Sequence, residues 1–255
     1  MSLERLLDLT GSTADAPALY ESLNFPDPPE HRPYVYINMA GTADGKIVVG
    51  PAGGSAVGVG GPTDQLLFRR LQRHCDGAFI GASTLRASNV IYPPEIKRFV
   101  LTSSGDLPAS NRFFTDAPTR AYAIVPAATA PRVDRLGIQI IPAGDETVDI
   151  CEAFRVMRQD HGVRTLLCEG GGELNAQLLA LGLADELFLT VAPWLKGGRG
   201  LPGAVGGDGA PPGTAYRLSL LSVYRDESEL YLRYKVLGIR NAARQSVKRT
   251  GALSA

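Results

Sequence analysis

The residues best suited to chemistry lie in the run Leu166-Leu167-Cys168-Glu169-Gly170-Gly171-Gly172-Glu173-Leu174-Asn175. An apolar strand stops at an acid, three glycines turn the chain, and an amphipathic helix begins. Free N–H groups at a helix start, with no Cβ in the way, form an anion site suited to a pyrophosphate. The same pattern also reads as a tight strand-to-helix connection. Glu169 ends a strand, which in an open α/β sheet directs it to the ligand crevice; a surface capping role is the alternative. A second group is Asn38-Met39-Ala40-Gly41-Thr42-Ala43-Asp44-Gly45-Lys46-Ile47. It sets a carboxylate and an ammonium two residues apart at the end of the first strand, although Asp-Gly between apolar runs is equally a plain turn. The third is Phe99-Val100-Leu101-Thr102-Ser103-Ser104. Hydroxyls after such a strand can donate to a ribose 2′-phosphate where an acid would favour a free 2′-hydroxyl; a solvated turn is the plainer reading.

Two familiar phosphate fingerprints are absent. Gly58-Val59-Gly60-Gly61-Pro62-Thr63 begins like G-x-G-x-x-G but ends in Thr and lacks a strand directly before it. Gly41-Thr42-Ala43-Asp44-Gly45-Lys46 has one residue too few between its glycines for a P-loop.

The elements that must position these groups follow from periodicity. Tyr34-Val35-Tyr36-Ile37-Asn38-Met39-Ala40 is rich in β-branched and aromatic residues and reads as a strand. A helix runs from Pro62 through Leu67 and Leu71 toward His74. Strands are predicted at 77–81, 97–101, 120–125, 137–141, 165–168 and 187–192. Ile150, Phe154 and Met157 fall at i, i+4 and i+7 of a helix over 148–161, which Gly162 terminates. Another helix carries Leu174, Leu178 and Leu181. Segments 218–224 and 230–236 flank Asp226-Glu227-Ser228 as an antiparallel hairpin. There Leu230, Leu232, Tyr234 and Val236 alternate with Tyr231, Arg233 and Lys235, the pattern of a half-exposed strand. Alternating strands and helices closed by a hairpin define an α/β fold with a mixed, mostly parallel sheet. Residues 1–31 read as an extension, 32–237 as one domain, and 238–255 as a mobile tail.

Composition bounds the function classes. The chain has 255 residues, with 26 Lys plus Arg against 26 Asp plus Glu. Zero net charge argues against a broad nucleic-acid surface while permitting a local basic pocket. Three scattered cysteines, Cys75, Cys151 and Cys168, read as buried apolar residues in a reducing, cytoplasmic compartment, and no metal-ligand spacing occurs. Neither a signal peptide nor a membrane span is expected. Glycine is the outlier: 17 of 29 fall in 50–61, 170–172 and 197–213, so they mark turns or close approaches rather than general flexibility.

The motifs together resemble the reductase family of riboflavin biosynthesis, found C-terminal in bacterial deaminase/reductases and stand-alone elsewhere, with a dihydrofolate-reductase-like fold. The resemblance rests on Arg32-Pro33-Tyr34-Val35 through Asn38, then Asp44-Gly45-Lys46-Ile47. It continues with Asp76-Gly77-Ala78-Phe79-Ile80-Gly81-Ala82-Ser83-Thr84-Leu85-Arg86. The most specific part is Glu169-Gly170-Gly171-Gly172-Glu173-Leu174-Asn175, running on through Gly182-Leu183-Ala184-Asp185-Glu186-Leu187 to Ala192-Pro193 and Gly197-Gly198. It covers about residues 32–237.

The resemblance implies NADPH over the carboxyl edge of the sheet, with Gly170, Gly171, Gly172, Glu173 and Leu174 at its phosphates. Asn38, Ala40, Gly81, Thr84, Leu101, Thr102, Ser103 and Ser104 would complete the cofactor site. It implies a ribosylaminopyrimidine 5′-phosphate as substrate, reduced at the ribose C1′, with Asp44, Lys46 and Glu169 orienting hydroxyls and handling protons. A homodimer is also implied, to which the terminal hairpin would lend an edge. Two departures stand out. The zinc deaminase motif is missing. Where family members continue with D-D-P-x-L, this chain reads Ala87-Ser88-Asn89-Val90-Ile91-Tyr92-Pro93-Pro94. That second departure keeps open a dihydropteridine or other small substrate, and a non-catalytic nucleotide-binding protein is the alternative from another class.

Overall fold

Short parallel strands alternate with helices along most of the chain, and the computed structural model describes residues 2–50 and 58–241. The strands are β1 Glu4–Asp8, β2 Tyr34–Thr42, β3 Gly77–Gly81, β4 Lys97–Leu101, β5 Ala121–Val125, β6 Gln139–Pro142, β7 Thr165–Cys168, β8 Glu186–Ala192, β9 Thr214–Asp226 and β10 Glu229–Asn241. The helices are α1 Pro62–Gln72, α2 Ala82–Ala87, α3 Arg112–Thr115, α4 Ala130–Asp134, α5 Ile150–Gln159 and α6 Gly172–Ala180. One sheet holds all ten strands in the order β1-β9-β10-β8-β2-β7-β3-β4-β5-β6. From β8 to β6 every neighbouring pair is parallel. The long β9–β10 hairpin and β1 then close one side in antiparallel fashion. This is the mixed, mostly parallel arrangement expected from the sequence.

Parallel strands need cover on both faces, and two apolar clusters supply it. Tyr36, Ala78, Ile80, Val100 and Leu167 pack on one face with Leu67, Leu71 and Leu85 of α1 and α2. Val35, Ile37, Phe79, Phe99 and Leu166 pack on the other with Phe154 and Met157 of α5 and Leu174 and Leu178 of α6. Each such side chain buried stabilises the fold by about 1.5–3 kcal/mol. The α5 helix follows the predicted periodicity. Asp149 caps it by accepting from the Glu152 N–H, and Gly162 leaves in the left-handed region at φ +65°.

The N-terminal extension lies against the domain: β1 pairs with β9, and the buried Arg70 guanidinium donates to the Pro17 and Leu19 carbonyls and the Glu21 carboxylate. Phe25 stacks on Tyr36, and Tyr20 meets Phe188 edge-on. That cover reverses the hairpin's faces, so Tyr231 and Arg233 are buried while Leu230 and Leu232 are half-buried. Arg233 is tolerated inside because Glu186 accepts from its Nε at 2.7 Å and from Nη2 at 3.1 Å. Finally, Cys75 and Cys168 are buried as expected, but Cys151 is exposed on the outer side of α5. Of the segment expected as a tail, 238–241 extends β10, and 242–255 lies outside the described residues, as do positions 51–57 of the first glycine cluster. No described helix is long and apolar enough to cross a membrane.

Candidate active site

The carboxyl ends of β2, β7, β3 and β4 meet at one edge of the sheet, and there the strand-to-helix glycines are seated. Gly170 lies at φ +72°, which favours glycine, and its carbonyl accepts from the Gly81 N–H at 2.8 Å. A Cβ on Gly171 would stand 3.2 Å from the Thr84 hydroxyl oxygen. Gly81, Thr84, Gly170, Gly171, Gly172 and Leu174 are therefore brought together as the sequence predicted. Among the described residues the N–H groups of Gly171, Gly172 and Glu173 have no acceptor. These are the unpaired donors of a nine-residue helix start, carrying its positive dipole end, and they suit a phosphate oxygen.

The third glycine cluster covers this junction. Gly206 N–H donates to the Gly172 carbonyl at 2.9 Å, Gly207 N–H to Glu173 Oε1 at 2.7 Å, and Asn175 Nδ2 to the Ala204 carbonyl at 2.8 Å. The segment expected as a mobile loop beside the site is thus hydrogen-bonded to it. Glu173 spends its carboxylate on that loop. A Cβ on Gly172 would come within 2.5 Å of the Gly203 carbonyl oxygen and 3.0 Å of the Gly206 nitrogen. Gly172→Ala is therefore expected to lower stability by about 1–3 kcal/mol through overpacking, read as a lower urea midpoint at unchanged m.

Asp44 and Lys46 flank Gly45, whose φ of +79° makes the turn. They do not pair with each other among the described residues. The Asp44 carboxylate accepts from Thr42 Oγ1 at 2.6 Å and from the Lys196 and Gly197 N–H groups at 3.0 and 2.7 Å. Those donors hold its pKa down at about 2, so it carries no proton at neutral pH. These bonds also make it an anchor for the start of the 193–213 loop. Lys46 bridges to Gly203, and its Nζ lies 3.5 Å from the Leu201 carbonyl.

The Glu169 carboxyl is enclosed on the side of the sheet where Tyr92 packs. Oε2 accepts from the Tyr92 hydroxyl at 2.9 Å, and the buried Oε1 has no partner among the described residues. Burial pushes its pKa up to about 8, against the lowering effect of Tyr92 and Gln72. A carboxylic acid is the form present at neutral pH.

The remaining predicted residues divide. Thr102 is buried and its Oγ1 accepts from the Gly105 N–H at 3.1 Å, which closes a turn. Ser103 and Ser104 are exposed, and Leu101 is half-buried between β3 and β5. Asn38 lines a recess with Asp64, Leu67, Phe188 and Thr190, on the opposite face from Met39, which abuts Gly170. Ala40, opposite Thr190 in the register, shares that face with Asn38.

Sequence reasoning missed several groups here. Asp64, in the first turn of α1, has its pKa raised to about 6 by burial. Arg86 donates to the Asp106 carbonyl and Arg132 lies beside Gly105, so both arginines flank the Ser103–Ser104 turn. Tyr92 sits in the segment that departs from the family pattern. Single side chains with no periodic or motif signal give nothing to read until the fold gathers them.

The sheet order, the terminal hairpin and the glycine junction at the carboxyl edge define a fold of the dihydrofolate-reductase-like class. A model of the RibD C-terminal domain matches residues 33–232, and the chain belongs to that family. The 2,5-diamino-6-ribosylamino-4(3H)-pyrimidinone 5′-phosphate reductase of Methanothermobacter thermautotrophicus is 30% identical over 221 residues, covering 81% of this chain and 100% of that protein. The enzyme of the same name from Aquifex aeolicus is 27% identical over 191 residues, covering 70% and 84%. Among solved structures, Acinetobacter baumannii RibD (form 1) superposes with a TM-score of 0.68 at 20% identity, covering 81% of this chain. The chain spans 58% of that longer protein. A pyrimidine reductase-like protein from Corynebacterium diphtheriae gives a TM-score of 0.67 at 22% identity, covering 80% of this chain and 92% of that one.

Proposed function

We infer that the chain is an NADPH-dependent reductase of a ribosylaminopyrimidine 5′-phosphate, converting the ribose to a ribityl chain. The observation that carries this reading is the row of N–H groups at Gly171, Gly172 and Glu173, without acceptors among the described residues, next to Thr84 and beginning two residues beyond Glu169. The donor set suits the cofactor: backbone donors for its pyrophosphate, and Ser103, Ser104, Arg86 and Arg132 for a 2′-phosphate. When bound, NADPH supplies the hydride.

The chain's own residues do the rest. Reducing a ring-opened sugar imine requires a proton on nitrogen, and Glu169 is the group that holds one at neutral pH. The Lys46 ammonium orients sugar hydroxyls, while ionised Asp44 holds the covering loop in place. A small-molecule site in a homodimeric cytoplasmic enzyme completes the proposal.

Parallel titrations with NADPH and NADH test the cofactor assignment. NADPH should bind tighter by at least about tenfold, the value of one charge-assisted hydrogen bond. Equal affinities would remove the 2′-phosphate reading. Turnover of the phosphoribosyl pyrimidine decides the substrate, and turnover of dihydrofolate alone would transfer the site to a dihydropteridine.

A further inference from the structure

The segment that breaks the family pattern delivers one polar group to the site. Tyr92 is buried, yet its hydroxyl reaches the Glu169 carboxyl at 2.9 Å. It is itself held from behind. The buried Arg98 guanidinium lies over the Tyr92 ring, 5.4 Å from its centroid, and donates to the Tyr92 carbonyl at 3.3 Å. Arg98 also donates to the Arg112 and Phe113 carbonyls, which fixes it to α3. On the other side of the carboxyl, Oε1 is buried without a partner among the described residues, and so is Nε2 of the neighbouring Gln72. An enclosed acid with one oxygen held and one oxygen free is suited to work and poorly suited to packing, because an unmet buried acceptor costs stability.

We propose that Tyr92 is a positioning residue for the acid of this site, holding the Glu169 carboxyl by one oxygen and so fixing its orientation. This rests on the reductase reading given above. No bond forms or breaks at Tyr92; it donates one hydrogen bond, and Arg98 fixes the ring that donates it. The groups facing Glu169 are few. Tyr92 comes from the 88–96 connection, Gln72 from α1, Cys75 from the link into β3, Tyr36 from β2 and Cys168 from its own strand. Among the described residues only the Tyr92 hydroxyl donates to the carboxyl at hydrogen-bond distance, while Tyr92 and Gln72 both favour its ionised form.

The discriminating variant is Tyr92→Phe, which keeps the ring and removes the donor. The readout is the infrared carbonyl band of protonated Glu169 followed against pH in protein without cofactor or substrate, with Glu169→Gln assigning the band. The midpoint should move upward in Tyr92→Phe by about one to two pH units, the value of a hydrogen bond to a charged group. The corresponding limb of the kcat/KM profile should move in the same direction, with NADPH affinity unchanged. An unmoved midpoint, with wild-type turnover of the pyrimidine intact, would overturn the assignment of Tyr92 alone. A moved midpoint in Tyr92→Phe, with a wild-type protein that does not turn over the pyrimidine, would overturn the reductase reading, and the catalytic half of this proposal with it.

Discussion

Replacing Glu186 by alanine is expected to lower the unfolding free energy by about 3–5 kcal/mol, the cost of stranding a buried charge. Glu186 and Arg233 are only 4% and 8% exposed. Their two hydrogen bonds are joined by a third, from the Tyr34 hydroxyl to Glu186 Oε1 at 2.9 Å. The guanidinium also lies against the Phe25 and Phe188 rings. Removing the carboxylate leaves a cation among aromatic groups and a phenol without its acceptor. Urea unfolding should show the loss as a lower midpoint at unchanged m. The double variant Glu186→Ala/Arg233→Met should recover much of it, because an apolar pair needs no desolvated charge. A Glu186→Ala loss within about 0.5 kcal/mol, the range of ordinary surface changes, would mean that water reaches Arg233.

Glu169→Gln is expected to reduce kcat by about 10²–10⁴-fold, the usual worth of a positioned proton donor, while leaving NADPH affinity intact. The amide keeps the shape and holds no transferable proton. Stability supplies an independent check with a definite sign. The Glu169 carboxyl is raised from its ordinary 4.5 to about 8. Between those values the folded chain keeps a proton that the unfolded chain gives up, so wild-type stability falls as pH rises through that window. Glutamine does not titrate, and the variant should lose that slope. Full activity in Glu169→Gln would remove this residue from the reaction, and an unchanged slope would mean that the carboxyl is not enclosed.

Much of the frame was legible from periodicity. β3, β4 and β7 coincide with the apolar runs that predicted them, and α5 has the capping residues its spacing required. Boundaries drifted where pairing continues past the apolar run, as in β9 and β10, which extend to 214 and 241 because each strand satisfies the other's backbone. The short helices α2, α3 and α4 were not legible. Four to six residues give too little periodicity to detect, and their burial comes from neighbours distant in sequence.

The site divides along the same line. The sequence by itself determined the α/β class, the strand-to-helix glycine junction and the family, because these depend on local spacing and on residues adjacent in the chain. Residues 170–172, Gly81 and Thr84 belong to that part. Only the tertiary structure decided how each acid is used. Asp44 became an anchor because the 196–197 backbone folds back onto it, and Glu169 became an enclosed acid because the 88–96 connection lays Tyr92 against it. The physical reason is that hydrogen-bond partners and desolvation set a carboxyl's charge state, and both come from segments tens of residues away.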